Sequence, residues 1–147
     1  MEKPGPVVLI ADDDDDSRYV ISRLLTHRGF VVLQATDGLQ AVALASARLP
    51  ALIIMDYLLP GITGWEATRR LRADPATAGT IIINMTAYSY DGIEADARAA
   101  GCDAFIAKPC DPFDVVAMVT RLVGAPDGQV PSPRLRRPDA ADDAAVA

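Results

Sequence analysis

Five short apolar runs, at residues 7–11, 31–35, 52–55, 81–85 and 104–107, alternate along the chain with stretches of helical pattern. Each run has the length of a strand, and this alternation is the pattern of βα units wound onto a parallel sheet. Parallel strands point their C-terminal ends the same way, so the residues that end them meet along one edge. The first run finishes in Asp12 and Asp13, the third in Asp56, the fourth in Thr86 and the fifth in Lys108. Acids, a hydroxyl and an ammonium gathered there are the parts needed to hold a divalent cation and a phosphoryl group together.

A chain of 147 residues is long enough for one domain that buries well over half of its surface. No apolar run approaches the ~20 residues of a membrane span, and residues 1–6, Met-Glu-Lys-Pro-Gly-Pro, contain no apolar stretch of a secretory signal. The expected location is therefore the cytoplasm. The net charge of −6 argues against general affinity for nucleic acid or for an anionic membrane, since phosphate contacts need Lys and Arg. Cys102 and Cys110 bracket the last strand, which puts them near its opposite ends, beyond the ~7 Å reach of a disulfide. They read as free thiols.

The helices carry their own start signals. Asp37-Gly38-Leu39-Gln40 and Thr63-Gly64-Trp65-Glu66 fit capping boxes, in which the third helical residue returns a bond to the cap. Asp111-Pro112-Phe113-Asp114 places Asp at a cap and Pro at the first helical position. The first helix shows Val20, Ile21, Leu24 and Leu25 on one face and ends before Gly29, a glycine suited to the C′ position. The fourth, 91–100, is rich in Ala with a thin apolar face, and is expected to be the loosest. Beyond Gly124 the composition turns to Ala, Pro, Asp and Arg. The expected organisation is an N-terminal extension at 1–6, a folded domain at 7–124 and a disordered tail or linker at 125–147.

Asp12-Asp13 after the first strand, Asp56 followed by Leu59-Pro60-Gly61 and Gly64, Thr86-Ala87 and Lys108-Pro109 resemble, in order, the motifs of the receiver domain of two-component response regulators. The resemblance covers residues 7–124. It implies an α/β fold, the flavodoxin-like three-layer sandwich, with a five-stranded parallel sheet of order 2-1-3-4-5 and five helices. It implies that Asp56 accepts a phosphoryl group from a sensor histidine kinase or a histidine phosphotransfer protein, assisted by Thr86 and Lys108. A Mg²⁺ ion is implied at Asp13 and Asp56 directly, at Asp12 through water and at the Leu58 main-chain carbonyl. Mg²⁺ suits the set because it prefers oxygen ligands and keeps several waters. Thr86 and Phe105 correspond to the switch pair, and Leu58 and Tyr88 to the residues that set the lifetime of the phosphorylated state. Leu58 cannot hydrogen-bond an attacking water and Tyr88 is large enough to cover the site, so slow autodephosphorylation is expected. The output is expected to be contact with a downstream protein, with no direct nucleic-acid or membrane partner and no turnover beyond the chain's own phosphorylation and dephosphorylation.

Other readings fit less well. A haloacid-dehalogenase-type phosphatase also forms an aspartyl phosphate, but its Asp-x-Asp-x-Thr/Val signature fails here, because Asp12-x-Asp14 is followed by Asp16 and Asp14-x-Asp16 by Arg18. An EF-hand starting at Asp12 would put Ser17 at the glycine position and Arg23 at the bidentate glutamate. A pseudo-receiver, folded alike but never phosphorylated, has no need of the intact Asp56, Thr86 and Lys108 set. Asp14, Asp15 and Asp16 read as a solvated charge run at a helix N-terminus, His27 as a surface residue, and Cys110 and Trp65 as packing. Asn84 interrupts an apolar strand and, if buried, needs a partner at the sheet edge or on the next strand.

Overall fold

The computed structural model describes residues 4–126. The elements run β1 (Val7–Ala11), α1 (Asp15–His27), β2 (Val31–Ala35), α2 (Gly38–Arg48), β3 (Leu52–Asp56), α3 (Gly64–Ala73), β4 (Ile81–Thr86), α4 (Ile93–Ala100), β5 (Ala104–Ala107) and α5 (Pro112–Val123). All strand pairs are parallel, and the sheet order is β2-β1-β3-β4-β5, as the resemblance implies. The expected tail lies outside the described residues from 127 onward. Pro126 is buried, and its ring lies against the position a side chain at Gly29 would take.

Alternation along the strands divides the core between two faces of the sheet. Leu9, Ile53, Met55, Ile82 and Phe105 pack with Ala41, Ala45, Ala67, Leu71 and Ala97 of α2, α3 and α4. Val8, Ile10, Ile54, Ile83 and Ile106 pack with Ile21, Leu25, Val115 and Val119 of α1 and α5. Every residue of β3 is buried, which is why its sequence is an apolar run without alternation. Each Leu or Ile so buried contributes roughly 1.5–3 kcal/mol.

The helix signals hold in part. Asp37 and Thr63 cap their helices through Gln40 N–H and Glu66 N–H, and Asp111 accepts from Phe113 N–H. The return bonds of the two capping boxes go elsewhere. Gln40 Oε1 accepts from Thr36 N–H, one residue before the cap, and the Glu66 carboxylate pairs with Arg69 and Arg70. Gly29 takes a φ of +99°, the left-handed geometry expected after α1. On that helix Ile21 and Leu25 are buried, but Val20 turns outward onto the edge described below. The fourth helix starts at Ile93, two residues later than expected, behind Gly92 in the left-handed conformation and with no side-chain cap. Asn84 points neither to the sheet edge nor to the next strand. Its Nδ2 donates to Thr68 Oγ1 on α3 at 3.3 Å.

One glycine bears directly on the edge where the strands end. Gly64 opens α3 against β3, and a Cβ there would collide with the Asp56 carbonyl oxygen. The backbone of α3 therefore rests on the residue that ends β3, fastened by Gly64 N–H donating to Tyr57 O at 2.8 Å. Gly64→Ala is expected to force the two apart and to lower stability by about 1–3 kcal/mol. Urea unfolding measures it, and an unchanged midpoint would show that α3 is free to step back.

Candidate functional site

Register sets the site. Ala11 pairs with Met55, so Asp12 lies level with Asp56 on the neighbouring strand. Asp56 pairs with Met85 and Thr86 with Ala107, which puts Lys108 one residue beyond. The four strand ends thus deliver Asp12, Asp56, Thr86 and Lys108 side by side.

Carboxylate oxygens of Asp12, Asp13 and Asp56 all lie within 4.8 Å of one another. Asp12 and Asp56 are buried, whereas Asp13 faces solvent. Asp12 Oδ1 accepts from Asp14 N–H at 2.9 Å and Asp56 Oδ1 from Tyr57 N–H at 3.1 Å. The Lys108 ammonium spans the two acids, 3.2 Å from Asp12 Oδ2 and 3.4 Å from Asp56 Oδ1. Three oxygen donors converging from two strand ends are the hard, anionic set that suits a divalent cation such as Mg²⁺. The Lys108–Pro109 peptide is cis.

Burial pushes the Asp56 carboxyl up to about 6, with the Asp12 charge adding to the rise and Lys108 opposing it. Burial acts against the Lys108 charge as well, but the attraction of Asp56 and Asp12 prevails and raises its pKa above the ordinary value. The cation alone does not offset the cost of holding Asp56 ionised.

The remaining residues lie around this cluster. Thr86 is buried, and its Oγ1 accepts from Tyr88 N–H at 2.9 Å. Phe105 is buried at 6% exposure among the side chains beneath α4; without a phenolic hydroxyl, nothing draws the ring toward water. Leu58 and Tyr88 are half exposed, at 48% and 49%. Beside Lys108 opens a cavity of about 520 Å³ lined by Ser17, Val20, Pro109, Cys110 and Pro112 among others.

Two residues at the site had weak sequence signals. Arg18 reaches from α1 to donate to the Asp12 carbonyl at 2.7 Å, to Gln34 Oε1 at 2.9 Å and to Asp15 at 2.6 Å. It pins the turn that carries the acids, and only the i, i+3 spacing from Asp15 hinted at it. Tyr57 follows the strand-end acid and lays its ring between Trp65, centroids 4.4 Å apart, and Tyr88, at 5.4 Å.

Comparison with known proteins agrees with this fold. The family model of the response regulator receiver domain matches residues 8–120. The phosphate regulon transcriptional regulatory protein PhoB of Pseudomonas aeruginosa is 35% identical over 130 residues, 86% of this chain and 57% of its own length. The polar-differentiation response regulator DivK of Brucella anthropi is 33% identical over 102 residues, 69% of this chain and 83% of its own. Among solved structures, the receiver domain of a sensor histidine kinase of Pseudomonas aeruginosa, with a magnesium ion coordinated in its active site cleft, matches at 30% identity. Its TM-score is 0.74, over 82% of this chain and 99% of the other. The chemotaxis protein CheY4 of Vibrio cholerae matches at 27% identity and a TM-score of 0.74, over 80% and 98%. The chain belongs to the response regulator receiver domain family, which sets aside the dehalogenase-type reading. It spans only a little over half the length of PhoB. Among the described residues no helix is long and apolar enough to cross a membrane.

Folding raises the Asp56 pKa from 3.8 to about 6, so the native state holds that proton more tightly than the unfolded chain. The associated stability is fully present below about pH 4 and is lost as pH rises through about 6. Lys108 stays charged across this window, since its pKa lies above 10.5. In metal-free buffer Asp56→Asn, neutral at every pH, is expected to match wild type near pH 4 and to exceed it by on the order of 2–3 kcal/mol above pH 7. Urea unfolding of both proteins from pH 4 to 8 checks this. A difference that fails to widen with pH would mean that burial is not what holds the carboxyl up.

Proposed function

We propose that this chain is a phosphorylation-controlled switch of a two-component phosphorelay. Asp56 accepts the phosphoryl group of a sensor histidine kinase or histidine phosphotransfer protein, and the phosphorylated form signals by contact with a downstream protein. The observation that carries the reading is the Lys108 ammonium set between two buried acids, 3.2 Å from Asp12 and 3.4 Å from Asp56. In the transfer an Asp56 oxygen attacks phosphorus, the phosphorus–nitrogen bond to the donor histidine breaks, and its electron pair returns to the imidazole, which takes up a proton. Asp13 and Asp56 directly, Asp12 through water and the Leu58 main-chain carbonyl would hold Mg²⁺, which would supply positive charge against the carboxylates and the phosphoryl oxygens. Lys108 pairs with one phosphoryl oxygen as a point charge, and the Thr86 hydroxyl donates to another. The donor domain docks along α1, residues 17–25, where Val20 is turned outward beside the cavity next to Lys108. Phosphorylation draws Thr86 toward the phosphate and reshapes the surface of α4, β5 and α5. The reading takes residues 7–124 as the receiver, 1–6 as an extension and 125–147 as a tail. It places the protein in the cytoplasm, consistent with free thiols at Cys102 and Cys110.

Incubated with Mg²⁺ and a small acyl phosphate, the protein is expected to gain one phosphoryl mass, labile to hydroxylamine. Asp56→Asn or chelation of the metal is expected to abolish the gain. Undiminished labelling of Asp56→Asn rejects that residue as acceptor, and no labelling of wild type by small donors or by a kinase favours a pseudo-receiver.

Slow loss of the phosphoryl group follows from the same site. The Leu58 side chain offers no hydrogen bond to an in-line water, and the half-exposed Tyr88 ring is large enough to cover the site. Leu58→Asn and Tyr88→Ala are each expected to speed autodephosphorylation several-fold, read as the decay of phosphorylated mass after donor removal. Rates that fall or stay level in both variants would reverse the blocking role.

A further inference from the structure

We infer that Tyr57 is a positioning residue whose ring holds the Tyr88 ring in the stack that begins at Trp65, and thereby sets the lifetime of the aspartyl phosphate. The inference rests on the proposed phosphorylation of Asp56 and the proposed covering role of Tyr88, and extends them to the residue adjoining the acceptor. It starts from an asymmetry in how the two rings are anchored. The Tyr57 backbone is fastened on both sides, its N–H donating to Met85 O at 2.8 Å and its carbonyl accepting from Gly64 N–H at 2.8 Å and Leu59 N–H at 3.1 Å. Its ring lies on Trp65, centroids 4.4 Å apart and planes tilted 50°. Trp65 is buried at 8% exposure, and its Nε1 has no hydrogen-bond partner among the described residues. Ring contact and burial, with no polar tether, therefore fix the platform.

Tyr88 is held more lightly. Beyond its N–H bond to Thr86 Oγ1, its ring rests on Tyr57 with centroids 5.4 Å apart and planes tilted 47°. Tilted pairs at these distances are attractive, because each ring offers its positive edge toward the other's negative face. Tyr57 is thus the link between the buried Trp65 of α3 and the half-exposed Tyr88 of the loop after β4. Removing the Tyr57 ring leaves the Tyr88 ring without this stacking partner.

The reaction so controlled is hydrolysis. A water oxygen bonds to phosphorus opposite Asp56 Oδ, the phosphorus–Oδ bond breaks, and its electron pair returns to the Asp56 carboxylate. The proton released by the water passes to the inorganic phosphate or to solvent. A ring seated in the water's approach lowers the population of the attacking arrangement, and the platform beneath it sets how often it is seated.

The test is a double-mutant cycle on autodephosphorylation, with wild type, Tyr57→Leu, Tyr88→Ala, the double variant and Tyr57→Phe phosphorylated by a small acyl phosphate with Mg²⁺. Tyr57→Leu is expected to lose phosphate roughly three- to tenfold faster than wild type, about as fast as Tyr88→Ala. The double variant should be no faster than either single, and Tyr57→Phe should keep the wild-type rate because the ring and not its hydroxyl is required. Effects that multiply in the double variant, an unchanged rate in Tyr57→Leu, or a fast Tyr57→Phe would each overturn the inference. Trp65 is the chain's sole tryptophan, so its emission in the unphosphorylated protein gives a second readout. Tyr88→Ala is expected to shift it when Tyr57 is present and not in Tyr57→Leu; equal shifts in both backgrounds, or none in either, count against the stack. A wild type that accepts no phosphoryl group at all defeats the phosphorylation of Asp56 instead, and the emission cycle still decides whether Tyr57 links the other two rings.

Discussion

Two carboxylates buried at the ends of adjacent strands, Asp12 and Asp56, are the constraint around which the edge is organised. An ammonium at 3.2–3.4 Å from both gains on the order of 4–5 kcal/mol of Coulomb energy per pair at an effective dielectric of 20. Taking a carboxylate out of water costs several kcal/mol on its own. The two magnitudes are close, and the Asp56 pKa decides between them: it rises to about 6, so burial wins over Lys108. The edge is left short of positive charge. A further cation at the three converging oxygens would remove that deficit, and so would a proton, so the two would compete for the same site.

The parallel sheet is what allows such a cluster to exist. Because all strands run one way, β3 brings Asp56 and β1 brings Asp12 to the same level, and the crossover to β5 adds Lys108 from 96 residues away in sequence. An antiparallel arrangement would have carried half of these groups to the opposite end. That opposite end is tied without ionic strain on a buried acid. Arg72 donates to the carbonyls of Gly101, Ala78 and Thr80 and pairs with the half-exposed Asp103.

The parts of this plan that were legible in the sequence are those fixed by burial. Strands covered on both faces must be apolar throughout, so β1, β3 and β4 announced themselves, and polar residues such as Asp56 and Thr86 that end them stood out. Helix starts were legible through Asp37, Thr63 and Asp111, because a cap bonds within its own turn. What escaped depends on partners distant in sequence or on choices between near-equal bonds. Glu66 has two arginines within one turn and pairs with them in place of its cap. Asn84 has its partner, Thr68, on a helix that no strand-level reading could bring beside it. Helix α2 ends at Leu49 in the left-handed conformation, φ +48°, where a glycine or asparagine would have signalled the stop. The Tyr57 stack was invisible because aromatic side chains one residue after a strand end take their direction from tertiary packing.

The segment between Thr86 and α4 joins the chemistry to the surface, and its construction bears on how a signal could leave the site. Thr86 Oγ1 already accepts from Tyr88 N–H, so drawing Thr86 toward a phosphoryl oxygen acts on the backbone of Tyr88 in the same movement. Two residues further on, Tyr90 donates to Asp96 at 2.7 Å, and its carbonyl accepts from Ile93 N–H. The loop thus grips the first turn of α4 directly. That turn has no side-chain cap of its own and starts from a left-handed glycine, whereas α2, α3 and α5 each start from a capping side chain. An uncapped helix whose buried face is two alanines, Ala97 and Ala100, forfeits less on shifting than one anchored by Leu71 or Val115. With Phe105 already buried beneath it, the looseness of this part of the surface lies in the loop and the start of α4, not in the burial of that ring.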